Sequence, residues 1–250
     1  MDDTAPRAVR HLDRPGGRVA YDVAGQGPLV LLVPGMGDLR STYRHLVPAL
    51  RGAGYRVAVG GERRVAVSVP AVLVGSSMGA GAAVWAAAER PDLVLGLVLV
   101  GPFVRDPNTG AAARRGLRLA MTPLWAATVW KSYLPRLYAG TRPADFDAHR
   151  DQVVASLRRP GYARAFSRTT RVGHAEAAAR LGQVRSPALV VMGALDPDFP
   201  SPADEAEWVA GRLGGRVEMV PGAGHYPHSQ RPDLTAAAVL DFLARVGTGA

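Results

Sequence analysis

Three polar residues stand where a hydroxyl, an imidazole and a carboxylate could act in series. Gly75-Ser76-Ser77-Met78-Gly79 fits the pattern G-x-S-x-G. It closes the apolar run Ala71 to Val74 and opens the alanine-rich stretch Ala80 to Arg90. A strand turning this sharply into a helix needs small residues beside the serine, and the turn lifts the hydroxyl clear of the backbone. The helix then presents its positive end to any oxyanion that develops at Ser77. Ser76 lacks the spacing and is expected to pack beside the turn.

A neutral serine is a weak nucleophile and needs a base. The histidines are His11, His45, His149, His174, His225 and His228. His225 alone follows a strand-like run, Arg216 to Val220, and then a glycine-rich turn, so it can reach the sheet edge that carries Ser77. His228 reads as structural or pocket-lining. The base needs an anion to hold its tautomer. Asp196 follows the apolar run Ala188 to Met192, with Asp198 as its rival. Asp196 is favoured because it lies nearer the strand end and Pro197 stiffens the turn; the plainer reading is a turn-forming Asp-Pro pair. Gly35-Met36-Gly37 follows Leu29 to Val33. The Met36 and Met78 amides are candidate oxyanion donors, against an ordinary glycine turn.

These residues need a scaffold. Continuous apolar runs at Leu29 to Val33, Tyr55 to Val59, Ala71 to Val74, Leu93 to Val100, Ala188 to Met192 and Arg216 to Val220 suit strands buried on both faces. Helical spacing covers Tyr43 to Leu50, Ala80 to Arg90, Ala203 to Leu213 and Leu234 to Val246. The alternation predicts an α/β fold with a mostly parallel sheet. The intervening segment, Val104 to Gln183, has helical patches, such as Leu117 to Leu137 and Gln152 to Leu157, and concentrates Trp125, Trp130, Tyr133 and Tyr138. It is expected to form a helical cap (104–183) on a core made of 1–103 and 184–250.

Composition narrows the chemistry. The chain has 250 residues, 48% of them apolar and none cysteine. Disulfide scaffolds, thiolate nucleophiles and cysteine metal sites are therefore excluded. No apolar run is long enough for a membrane span and no signal peptide is evident, so a cytoplasmic location is expected, with no membrane partner. Thirty Lys or Arg against 21 Asp or Glu give +9. Arginine is scattered along the chain, so no nucleic-acid partner is expected. An acidic substrate or partner stays open, as does oligomeric state. No nicotinamide, flavin, phosphate-loop or metal-ligand motif competes, and no cofactor or metal is expected.

The order Ser77, Asp196, His225, each after a strand, resembles the α/β-hydrolase superfamily, of the small bacterial esterase-like kind. The resemblance runs from Leu29-Val30-Leu31-Leu32-Val33-Pro34-Gly35 to Asp241-Phe242-Leu243. It is carried also by Gly193-Ala194-Leu195-Asp196 and Gly224-His225-Tyr226-Pro227. It implies Ser77 as nucleophile, Asp196 as acid, His225 as base, Met36 and Met78 amides as the oxyanion hole, and 104–183 as a cap. The implied activity is cofactor-independent cleavage of an ester or related acyl bond in a hydrophobic small molecule. Peroxyacid (peroxidase-like) chemistry or C–C bond hydrolysis could use the same three residues.

Two features depart from the pattern. Pro34-Gly35 stands where many relatives have His-Gly. Only 11 residues, Gly60 to Pro70, join the strands near 55–59 and 71–74, where a crossover helix is usual. Extended, they span at most about 38 Å. One crossover helix is therefore expected to be missing, and Val65 to Val69 could be a strand. That shortening keeps a non-catalytic binding protein in play.

Overall fold

The computed structural model describes residues 9–14, 17–60, 67–106 and 111–247. The strands are β1 (Val9–Arg14), β2 (Gly17–Ala24), β3 (Leu29–Val33), β4 (Arg56–Gly60), β5 (Ala71–Ser76), β6 (Val94–Val100), β7 (Ala188–Gly193) and β8 (Arg216–Val220). The helices are α1 (Leu46–Gly52), α2 (Met78–Glu89), α3 (Ala111–Ala120), α4 (Ala126–Leu137), α5 (Phe146–Leu157), α6 (Tyr162–Thr169), α7 (Ala175–Arg180), α8 (Pro202–Leu213), α9 (Pro227–Gln230) and α10 (Pro232–Val246).

The strands make one sheet in the order β1-β2-β4-β3-β5-β6-β7-β8. β1 pairs with β2, and β2 with β4, antiparallel; the other pairings are parallel. The α/β expectation is met. β5 and β7 are buried at every position, because both sheet faces are covered. On one face Val30, Leu32, Val72, Val74 and Val98 pack on Leu46 and Leu50 of α1 and Val239 and Phe242 of α10. On the other, Leu73, Leu97, Leu99 and Val190 pack on Ala83 and Val84 of α2 and Val209 of α8. Ordinary signals bound the helices: Ser201 caps α8 by accepting from the Asp204 N–H at 3.4 Å, and Pro202 follows it.

Several expectations change. β1 and β2 were not anticipated. Their apolar residues are interrupted by Arg10, His11, Asp13, Arg18 and Asp22, which suits an antiparallel edge and lacks the apolar continuity that marks the central strands. Tyr43 to Leu50 is not one helix: a 3-10 turn at Arg40–Tyr43 precedes α1. The patch Leu117 to Leu137 divides into the end of α3 and all of α4, with a hydrogen-bonded turn between them. Pro123 in that turn offers no N–H to continue α3.

The expected helix-free crossover falls largely on residues 61–66, outside the described residues. β4 and β5 flank β3, so the link must pass one strand. Val67 to Val69, the described part of the possible extra strand, is not in a strand, and Val67 is buried in the core with Leu73.

Between β6 and β7 the regular elements of the described chain are the helices α3 to α7 and a 3-10 turn at Leu181–Gln183, with one isolated β-bridge between Gly140 and Ala223. Met121, Trp130, Leu134, Leu137, Tyr138, Phe146 and Phe166 form a separate apolar cluster, which Tyr226 joins from beyond β8. α7 behaves differently: its Ala177 sits in the core cluster of α2.

Candidate active site

Ser77 has φ 53° and ψ −124°, the only positive φ outside glycine among the described residues. It sits between the last residue of β5 and the first of α2. The flanking glycines are sterically required. A Cβ on Gly75 would lie 2.6 Å from the Gly79 carbonyl oxygen, and one on Gly79 would lie 2.6 Å from that of Pro34. The structure thus supplies the reason for both glycines of the motif. Met78 begins α2, so its N–H has no carbonyl one turn back to bind within the helix. Ser76 is fully buried in β5, its hydroxyl without a hydrogen-bond partner, away from the expected role of Ser77.

The Gly35-Met36-Gly37 turn lies against this serine. A Cβ on Gly35 would come 2.7 Å from Ser77 Cβ, and one on Gly37 would come 2.7 Å from Phe166 and 3.0 Å from Trp130. The turn that carries the Met36 amide is therefore closed in by Ser77 below and two aromatic rings of α4 and α6 above. The Trp130 indole N–H is buried and unpartnered.

His225 and Asp196 meet. His225 Nδ1 is 2.7 Å from Asp196 Oδ2, and both side chains are buried. Asp198 Oδ2 is 3.9 Å from the same nitrogen. Asp198 instead accepts a hydrogen bond from Tyr133 of α4, and its own N–H donates to Asp196 Oδ1 at 3.0 Å. Ser77 N–H donates to the Val100 carbonyl at 2.9 Å. The next residue, Gly101, has no room for a Cβ, which would meet His225 Nδ1 and Cε1 at 3.2 Å. One end of β6 therefore adjoins both the serine backbone and the imidazole.

Burial disfavours the charged form of His225, but Asp196, by charge and hydrogen bond, together with Asp198 and Asp38, outweighs it and pushes the pKa up to about 9. His228 is the reverse case. Burial first, then the positive charges around it, push it down to about 3, and its Nε2 lies 3.3 Å from Thr42 Oγ1. It is a neutral packing group beside Tyr43. His149 is also buried and pushed down to about 4 by burial, His45 pairs with Asp145, and His11 is exposed on β1. The His174 backbone N–H donates to Asp106.

The alpha/beta hydrolase family profile matches residues 6–238. The chain belongs to the α/β-hydrolase family. This α/β-hydrolase is 26% identical to the 2-(acetamidomethylene)succinate hydrolase of Mesorhizobium japonicum, over 91% of its own length and 92% of that protein. It is 29% identical to the polyketide synthase ThaQ of Burkholderia thailandensis, across 93% of this chain but only 12% of that much longer protein. Among solved structures, the thermophilic esterase of Thermogutta terrifontis superposes with a TM-score of 0.75 and 23% identity, covering 97% of this chain and 99% of the esterase. No described helix of the hydrolase is long and apolar enough to cross a membrane.

Two further residues of this hydrolase were not singled out from sequence. Asp38 is buried and takes hydrogen bonds from Tyr226 Oη at 3.0 Å and Gly35 N–H at 3.2 Å, tying the Met36 turn to the His225 loop. Burial raises its pKa to about 6 against the Tyr226 hydrogen bond, the His225 charge and the Gly35 N–H. The second is Gln230. Its Oε1 accepts from Gly224 N–H (2.9 Å) and Tyr226 N–H (3.3 Å), while its Nε2 donates to the carbonyls of Ala139 (2.8 Å) and Thr141 (2.7 Å). The Gly224 and Tyr226 partners are local, but the Ala139 and Thr141 carbonyls lie 91 and 89 residues away in sequence, so spacing carries no trace of them.

Replacing Gln230 by leucine leaves four backbone groups unpartnered. The expected loss is about 3 kcal/mol or more, or about 6–12 °C in Tm. Thermal unfolding of Gln230→Leu beside the parent checks it; an unchanged Tm contradicts the role.

Proposed function

We propose that this α/β-hydrolase cleaves an ester or related acyl bond through Ser77, His225 and Asp196. The observation that carries the reading is the 2.7 Å contact between His225 Nδ1 and Asp196 Oδ2; Ser77, held at positive φ, bonds Val100, whose neighbour Gly101 lies against the imidazole. Asp196 accepts a hydrogen bond from the Nδ1–H, which fixes the tautomer and leaves Nε2 free to take the Ser77 proton as the hydroxyl attacks the acyl carbon. The carbonyl π electrons move to oxygen, and the Met36 and Met78 N–H groups stabilise that oxyanion. Its collapse expels the leaving group, which takes the proton from His225. Water, deprotonated by the same imidazole, then releases the acid and restores Ser77.

The aromatic enclosure supports an apolar acyl group. Trp130 and Phe166 cover Gly37, and Phe103 packs edge-on to His225 with ring centroids 5.7 Å apart. Similarity to a hydrolase and to an esterase fold agrees with the reaction class. The test is a fluorophosphonate probe with intact-mass and peptide readout, run beside hydrolysis of p-nitrophenyl esters of graded chain length. A single adduct on Ser77, absent from Ser77→Ala, is expected. Folded protein that takes no adduct and turns over no ester refutes the proposal.

Base catalysis requires neutral His225. With its pKa raised to about 9, kcat/KM rises with pH and levels off near or above that value. The same shift acts oppositely on stability. The imidazolium's favourable pairing is fully present below its unfolded pKa of about 6.5 and is withdrawn as pH climbs through about 9. Activity and stability are therefore expected to run in opposite directions between these limits. A pH–rate profile recorded with a pH–Tm series checks both signs.

A further inference from the structure

The net charge of the chain is not evenly distributed. Residues 104–183 contain 14 Lys or Arg and 5 Asp or Glu, a surplus of nine. The remainder of the chain contains 16 of each. Arginines occur everywhere, but acidic residues do not follow them into this segment. Of those five acids, Asp145 pairs with Arg44, and Asp147 and Asp151 pair with Arg150. Arg115, Arg118, Arg164, Arg168 and Arg171 are exposed and make no ion pair among the described residues.

The same segment carries an apolar protrusion. The turn from α3 to α4 leaves Leu119 72%, Leu124 80% and Trp125 57% exposed. The turn itself is well fixed. Thr122 N–H donates to the Leu119 carbonyl at 3.2 Å, Trp125 N–H donates to the Thr122 carbonyl at 3.0 Å, and Met121 is buried beneath it. Side chains exposed this far line no groove; they stand out from the surface. Arg115, Arg118 and Leu119 share a face of α3 by their spacing. α6, with Arg164 and Arg168 outward, packs beside α4 through Phe166 on Trp130, ring centroids 5.1 Å apart.

We propose that this face docks on an anionic lipid surface, with Leu119, Leu124 and Trp125 entering the headgroup boundary and the arginines meeting lipid phosphates. Leucine and tryptophan beside arginine form the combination that an interface rewards, apolar on one side and anionic on the other. An acidic soluble protein would satisfy the charge, but nothing in a flat polar contact would cover three protruding apolar side chains. The expectation of no membrane partner rested on the lack of a spanning segment, which bears on crossing a bilayer and not on resting against one.

The test uses Ser77→Ala protein, so that lipid turnover plays no part and the result is independent of the hydrolytic proposal. Flotation is measured on phosphatidylcholine vesicles with and without about 30% phosphatidylglycerol, at low salt and at about 1 M salt. Binding is expected only with the anionic lipid, with a blue shift of tryptophan emission that Trp125→Phe removes. Leu124→Ser/Trp125→Ser and, separately, Arg115→Glu/Arg118→Glu are each expected to weaken binding by about tenfold or more. Both pairs are exposed, and circular dichroism confirms that the variants fold. The proposal is overturned by no flotation on anionic vesicles. It is equally overturned if the apolar pair changes nothing while poly-glutamate binds as tightly as vesicles. A concentration-dependent dimer, dissociated by Leu124→Ser/Trp125→Ser in place of any lipid effect, also overturns it by making the face a contact between copies.

Discussion

Ser77→Gly is expected to eliminate turnover and, at the same time, to stabilise the protein. Under the proposed mechanism the nucleophilic oxygen is gone, and loss of that group in a serine hydrolase costs about 10⁶ in kcat. Stability moves the other way because Ser77 occupies φ 53°, ψ −124°, a conformation that disfavours any side chain. Such strain costs about 1–3 kcal/mol, while glycine adds about 0.5–1 kcal/mol of unfolded-state entropy. The net gain is about 1 kcal/mol, or about 2–4 °C in Tm for a chain of this size. Ser77→Ala separates the two effects, since it removes the hydroxyl and keeps the strained Cβ. Equal Tm values for Ser77→Gly and Ser77→Ala would show that the turn stores no strain.

Asp196→Asn is expected to lower kcat by about 10⁴. The asparagine amide can present N–H where the carboxylate accepted one, turning the ring to the wrong tautomer for proton abstraction at Nε2. The alkaline rise in kcat/KM should also move to lower pH, because Asp196 supplies the largest charge and the hydrogen bond that raise His225. Asp198→Asn is expected to cost far less, about tenfold or under, since Asp198 is 3.9 Å from Nδ1 and acts through Tyr133 and the Asp196 loop. Matched effects for the two variants, measured as kcat and KM separately, would mean that they share the anionic role.

The contrast between these aspartates shows where sequence reading stops. A strand end, a proline and a two-residue offset favoured Asp196, yet both candidates lie in the same turn, and only side-chain direction separates them. The turn at Ser77 was legible because its backbone imposes a local signature: glycines at 75 and 79 are needed whatever the rest of the chain does. The central strands were legible for a similar reason, as burial on both faces demands continuous apolar runs. β1 and β2 carry weaker patterns because they lie at an edge. Asp38, Tyr133 and Gln230 left no local mark, since each acts on a backbone or side chain brought near by the fold. The charge surplus of residues 104–183 lies in the scarcity of acids there and not in the arginines, which are spread along the whole chain.

The His225 N–H donates to the Leu137 carbonyl at 2.7 Å, and Gln230 fastens the same loop to residues 139 and 141. His225, the proposed base, is thus moored to the far end of α4, and the helical segment and the sheet share a joint. Anyone transplanting a foreign helical segment onto this scaffold must cut before Leu137 and leave residues 137–141 with their native neighbours.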